Sequence, residues 1–225
     1  MIKKQNKSWK KILLKIALII SLILILLLSA YLVWSFLSSS KISNEIEDSA
    51  TNQTVVNDRD LNEEKPSLDK WNVAPEKPRY LSIEKLNIIN ARVLEIGLIN
   101  DNQLDSPKNI HDVGWYRDSS LPGSNNTTYA GLYDGHNFGT SQNGVFYRLG
   151  NIAIGDVIKI ERGDGKTFNY TVREVETPAL EEVDMKKMQK PFNPSVEGLN
   201  IISCNGEYDK ERQTYSHRVT VRATL

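Results

Sequence analysis

An uncharged, strongly apolar run over residues 16–37, preceded by six lysines, constrains this chain more than any other feature. As a helix its 22 residues span about 33 Å, which matches a hydrocarbon core of roughly 30 Å. Lys3, Lys4, Lys7, Lys10, Lys11 and Lys15 come before it, and the next cation is Lys41. The positive-inside rule therefore puts the N-terminus in the cytoplasm and everything after residue 37 outside. Tyr31 and Trp34 fall near the outer interface. A cleaved signal peptide, with Ser29 and Ala30 near a cleavage site, is the competing reading. The apolar region of a signal peptide is usually only about 7 to 15 residues, so length favours an uncleaved, single-pass anchor in the cytoplasmic membrane.

The rest of the chain divides by composition. Residues 1–15 are a basic cytoplasmic tail, 16–37 the anchor, 38–78 a polar segment without helix or strand period that reads as a solvated stalk, and 79–225 one folded domain. The 28 basic and 28 acidic residues cancel, but without the six N-terminal lysines 22 face 28. The rest of the chain is therefore acidic by six charges, the basic cluster sits beside the apolar run rather than on the domain, and neither nucleic acid nor a polyanion suits the domain as a partner. From residue 79 onward, short β-rich runs separated by turn residues predict an all-β barrel or sandwich. Candidate strands are 80–83, 91–98, 127–132, 157–162, 167–175, 199–203 and 219–225, with Gly163-Asp164-Gly165 as a tight hairpin turn. Segments 145–149 and 181–188 are the candidate short helices.

A single cysteine, Cys204, excludes an internal disulfide framework and a Cys-rich zinc site. It follows the apolar run Leu199-Asn200-Ile201-Ile202 and precedes the polar residues Asn205, Gly206 and Glu207, which places it at a strand exit. A nucleophilic thiol needs a nearby histidine and a positive field. His136, in Asp134-Gly135-His136-Asn137, lies at the exit of another candidate strand, and His217 is the rival base; His111 reads as structural or exposed. In Arg218-Val219-Thr220-Val221-Arg222-Ala223 the arginines alternate with apolar residues. A guanidinium there can hold the anion formed when a carbonyl is attacked. Each residue also has a plainer reading: an inert buried thiol, a solvated loop histidine, a solvated strand face. Alternation alone does not choose between them.

The order of these motifs resembles the sortase family. Ile201-Ile202-Ser203-Cys204 looks like its Leu-Ile-Thr-Cys signature, Gly135-His136 like its Gly-His, and Arg218 to Ala223 like its arginine strand. Val113-Gly114-Trp115-Tyr116, Leu121-Pro122-Gly123, and Phe146-Tyr147-Arg148-Leu149 followed by Gly155-Asp156 are similar to the compact class F or class E sortases. The likeness covers roughly residues 80–223. Two residues depart from the pattern. Ser203 replaces the usual threonine, and Asp134 puts an acid beside His136, which favours its imidazolium form.

The resemblance implies a closed sortase-type β-barrel of about eight strands. It implies a cysteine transpeptidase with Cys204 as nucleophile, His136 as proton carrier and Arg218 as oxyanion stabiliser, and it makes Ile202 and Ser203 candidates for the substrate groove. Implied partners are secreted proteins with a C-terminal Leu-Pro-x-Thr-Gly-like sorting signal and an amine of cell-wall peptide or pilin. No cofactor is required. Glu181, Glu182 and Asp184 lie where some sortases carry a calcium-responsive loop, although such a run more often is a solvated helix face. The lid motif and second hydrophobic segment of pilus polymerases are missing from this sequence, so an anchoring role is preferred. L,D-transpeptidases and papain-like wall hydrolases fit poorly, the former for want of a Ser-x-Gly-Cys motif and the latter because they place Cys before His. A non-catalytic extracellular β-module on a stalk is the alternative of a different class.

Overall fold

A computed structural model of the protein describes residues 61–68, 71–99 and 103–225. The basic tail, the apolar run 16–37 and residues 38–60 lie outside them. Among the described residues no helix is long and apolar enough to cross a membrane.

Among the described residues ten strands follow one another: β1 (Pro78–Ile83), β2 (Ile88–Ile96), β3 (Leu98–Ile99), β4 (Gln103–Leu104), β5 (Val113–Tyr116), β6 (Gly131–Gly135), β7 (Val157–Arg162), β8 (Thr167–Glu176), β9 (Gly198–Asp209) and β10 (Thr214–Thr224). Eight close into a barrel in the order β1-β2-β5-β6-β9-β10-β8-β7, while β3 and β4 form a small ladder of their own. The expected all-β barrel is thus observed. Period-two alternation explains how it fills: Leu199, Ile201, Val219, Val221 and Ala223 point into one core with Leu81, Ile158, Ile160 and Tyr170. Most pairs are antiparallel, but β2–β5 and β6–β9 are parallel and so require crossovers. The β6-to-β9 crossover contains the β7–β8 hairpin, whose turn at Gly163–Gly165 closes with Arg162 N–H donating to the Lys166 carbonyl (2.9 Å) and Gly165 at φ 79°.

Where elements differ from expectation, local chemistry accounts for it. The strand expected at 127–132 begins only at Gly131, because the Asn126 side chain takes the Thr128 and Tyr129 N–H groups (2.8 and 3.1 Å) and makes a turn there. Val113–Tyr116, read only as a motif, is the central strand β5. The sequence after Cys204 is not loop. β9 continues to Asp209, and Tyr208 meets Tyr215 edge-to-face across the hairpin at 5.2 Å. The helix expected at 145–149 is a turn leading into a 3-10 turn at Leu149–Asn151. Segment 181–188 is a 3-10 turn (Leu180–Glu182) and a short helix, Met185–Met188, capped by Asp184 through the Lys187 N–H at 3.0 Å.

The described part of the segment expected as stalk touches the barrel. Tyr80 Oη donates to the Leu68 carbonyl (3.1 Å), Trp71 and Arg79 exchange hydrogen bonds (3.2 and 2.8 Å), and Arg92 stacks over the Trp71 ring at 5.0 Å.

Glu197, buried at the entry to β9, ties three distant segments together. Its carboxylate accepts the Gly123 N–H (2.7 Å), the Asn125 N–H (2.6 Å) and the Tyr170 hydroxyl. Glu197→Gln turns one acceptor into a donor facing a donor. It is expected to cost about 1.5–3 kcal/mol, read as a lower urea midpoint at unchanged m-value.

Candidate active site

The geometry of the site follows from the place of β9 between β6 and β10. In the antiparallel β9–β10 ladder Cys204 pairs directly with Arg218, and in the parallel β6–β9 ladder Gly135 pairs with Ser203. His136, one residue past Gly135, therefore stands level with Cys204. The three residues picked out from the sequence form one row, with Cys204 on β9 in the middle, Arg218 on β10 to one side and His136, just past the end of β6, to the other. Directly opposed residues in a ladder have Cβ atoms about 4.5–5.5 Å apart.

The same alternation separates the two groove candidates. Ile202 and Cys204 share the outer face, whereas Ser203 belongs to the core-facing set and is buried. Its Oγ donates to the Gly135 carbonyl at 2.8 Å, so Ser203 clamps β9 to β6 rather than lining the groove. Ile202 packs with Leu132 and Met188 in a separate apolar cluster, bordered by Leu104, Tyr116, Val183 and Met185. Ile202, two residues before Cys204 on the same face of β9, brings the edge of that apolar cluster next to the cysteine. Sequence reading missed all of its members except Ile202, because they come from five segments with no shared local pattern.

His136 is half-buried, and its Nε2 lies 2.6 Å from the Pro107 carbonyl. A carbonyl only accepts, so Nε2 carries hydrogen and Nδ1 is left for proton exchange. Backbone approach behind the histidine is tight: a Cβ on Gly144 would lie 2.3 Å from the His136 carbonyl oxygen. The rival base, His217, pairs with Asn205, one position along from Arg218 and hence on the other face; its Nδ1 meets Ser216 Oγ at 2.8 Å. His111 binds the Glu63 carbonyl through Nε2 at 3.1 Å.

The two arginines of β10 have different tasks. Arg222 is buried, with Nη1 on Glu174 (3.1 Å) and Nη2 on the Pro191 carbonyl (2.9 Å), and is a structural tie. Arg218 is half-buried beside Cys204. Its Nη1 donates to the Tyr215 and His217 carbonyls (both 2.9 Å) and its Nη2 to Thr214 Oγ1 (3.0 Å). Of the acidic run, Glu181 pairs with Arg212 at 2.5 Å and Asp184 caps the short helix.

With this arrangement in place, comparison with known proteins is decisive. The family model described as "Sortase domain" matches residues 81–225. The chain belongs to the sortase family. Among solved structures, sortase C1 from Streptococcus agalactiae matches at 20% identity and TM-score 0.49, over 65% of this chain and 66% of that one. A further crystal structure of the same sortase matches at 18% identity and TM-score 0.50, over 68% of each chain. The lid mutant of sortase A from Corynebacterium diphtheriae matches at 23% identity and TM-score 0.48, over 67% of this chain and 69% of that one. These likenesses concern the fold, and the match spans just under two thirds of the length of the first. No curated protein sequence matches.

Asp134 is the sortase barrel's unusual residue. It pairs with Ile202 on the groove face, one step below His136, and its Oδ2 accepts the Ser106 hydroxyl at 2.6 Å. Burial raises its carboxyl above the ordinary range, against the pull of the Ser106 bond and of the His136 and Arg218 charges. A carboxyl whose proton is held more tightly in the folded state costs stability as pH rises from about 4 through the folded value. Asp134→Asn keeps an acceptor for Ser106 and removes that cost. Its melting temperature at pH 7 is expected to exceed the wild type's, and the two should converge below about pH 4; parallel curves over pH 4–8 would refute this account.

Proposed function

We propose that this sortase is a membrane-anchored cysteine transpeptidase acting outside the cytoplasmic membrane. It cleaves a C-terminal Leu-Pro-x-Thr-Gly-like sorting signal and joins the upstream protein to an amine of cell-wall peptide or pilin. The observation that carries the reading is the Cys204–Arg218 strand pair with His136 level on the other side. A display module would have no reason to gather its one thiol, a histidine and an arginine into one row beside an apolar cluster.

The signal lies along the groove over Ile202, with apolar side chains against the Leu132, Met188 and Ile202 cluster. The Cys204 thiolate attacks the Thr carbonyl carbon, forming a C–S bond and an oxyanion. Arg218 Nη1 spends its hydrogens on the Tyr215 and His217 carbonyls, and Nη2 spends one on Thr214 Oγ1. The Nε hydrogen and the second Nη2 hydrogen remain to meet that oxygen, held in place without reorganisation. Collapse of the oxyanion breaks the Thr–Gly C–N bond, and His136 as imidazolium protonates the departing amine from Nδ1. The incoming amine attacks the thioester and returns its proton to His136, and Cys204 leaves as thiolate. Thiolate and imidazolium must therefore coexist, so the rate follows the population of the pair. In its motifs the chain resembles the compact class F or class E sortases, and its role is anchoring rather than polymerising.

The test is mass spectrometry of adducts formed with a panel of sorting-signal peptides. Cys204→Ala is expected to give no thioacyl adduct, His136→Ala to slow transfer about 10²- to 10⁴-fold, and Arg218→Ala about 10²- to 10³-fold. If no peptide modifies Cys204 and small alkylating agents also leave it untouched, the thiol is structural and the display-module reading takes over.

A further inference from the structure

The strongest unexplained feature outside the groove is the way residues 62–64 are knitted into the two segments that hold His136. Asn62 forms a bridge to Asn109, its N–H donating to the Lys108 carbonyl (2.9 Å) and its carbonyl accepting the Ile110 N–H (3.0 Å). Asn109 Nδ2 donates to the Glu64 carbonyl at 2.8 Å. These bonds fix the stretch that presents the Pro107 carbonyl to His136 Nε2. On the other side, the Glu63 carboxylate accepts the Ser141 N–H (2.9 Å) and the Ser141 hydroxyl, gripping the loop that follows His136. The fit is close: a Cβ on Gly139 would lie 2.4 Å from Glu63 Oε1. The same loop is tied to the histidine by Phe146 N–H on the His136 carbonyl (2.9 Å) and to the Pro107 stretch by Val145 N–H on the Ile110 carbonyl (2.7 Å).

We infer that residues 62–64 are a positioning strap for His136, with Glu63 as its principal side chain, clamping the Pro107 stretch and the His136 loop so that Nε2–H stays on the Pro107 carbonyl and Nδ1 stays available. This rests on the functional reading above, in which His136 carries the proton. The physical reason is that neither segment is held by the barrel alone. β6 ends at Gly135 and β5 begins only at Val113, so both His136 and Pro107 sit in connections beyond the ladder. Pinning such a pair to each other and to a third segment removes loop freedom that strand pairing does not remove. Ordinary hydrogen bonds suffice, because misplacing a proton carrier by about 1 Å can cost on the order of 10²-fold in rate.

The test uses the full-length protein with ¹⁵N-labelled histidine. There are only three histidines, so the ring signals are assigned with His136→Ala. Wild type should show His136 as the Nε2–H tautomer. Glu63→Ala, and Ser141→Ala from the other end of the contact, should show tautomer exchange, with transfer of a sorting-signal peptide reduced about 10-fold in kcat and little changed in KM. Glu63→Gln keeps one acceptor and should recover much of both. A merely structural strap would lower the melting temperature without altering the tautomer or kcat. That result, or wild-type signals in both Glu63→Ala and Ser141→Ala, overturns the proposal. If wild type transfers no peptide but loses the Nε2–H signature in Glu63→Ala, the strap stands and the transpeptidase reading falls.

Discussion

Everything at the site depends on one strand being paired on both sides. β9 is bound in parallel to β6 and antiparallel to β10, and each pairing fixes the height of one neighbour of Cys204. Because side chains alternate with period two, a slip of one residue would send Cys204 into the core and Ser203 into the groove. The slip is opposed from the inside by Ile201, Val219 and Val221, all buried, and by the Ser203 bond to Gly135. Hydrophobic burial thus sets the register, and the register sets the chemistry.

A second, polar scaffold fixes the short helix against the barrel. Lys187, on the short helix that contributes Met185 and Met188, reaches Glu174 (2.9 Å) and Glu176 (2.7 Å) on β8. Arg222 on β10 meets the same Glu174 and the carbonyls of Lys190 and Pro191. Opposing charges hold the Glu174 carboxyl below its ordinary range despite partial burial. A four-residue helix has too few internal bonds to stand alone, so this network and its apolar face locate it. The Met185 and Met188 side of the Ile202 cluster therefore comes from a segment whose position the barrel's charged network decides.

Asp134 shows the opposite economy. A carboxyl raised by burial is unfavourable for the fold at neutral pH, yet it stands opposite Ile202, two residues before His136. Groups kept in such a state concentrate at functional sites.

Much of this was legible from the chain itself. Alternation at 157–162 and 218–223, the glycine turn at 163–165, and an apolar run ending in the lone cysteine gave the barrel class and two of the three site residues their strands. The motif order added His136. Less legible was where strands end, because Asn126 delays β6 and the tyrosine contact prolongs β9 through competition between side-chain and ladder bonds. Illegible altogether was the Pro107 carbonyl, a backbone group that no side-chain pattern announces. By itself the sequence determined which residue types could do chemistry and, through local periodicity and turn residues, roughly where most of the strands run. Only the tertiary structure decided that His136, Cys204 and Arg218 share one row, that Ser203 points inward and that residues 62–64 grip the histidine's loops. Those depend on pairings between segments far apart in the chain, whose register is chosen by the packed core as a whole.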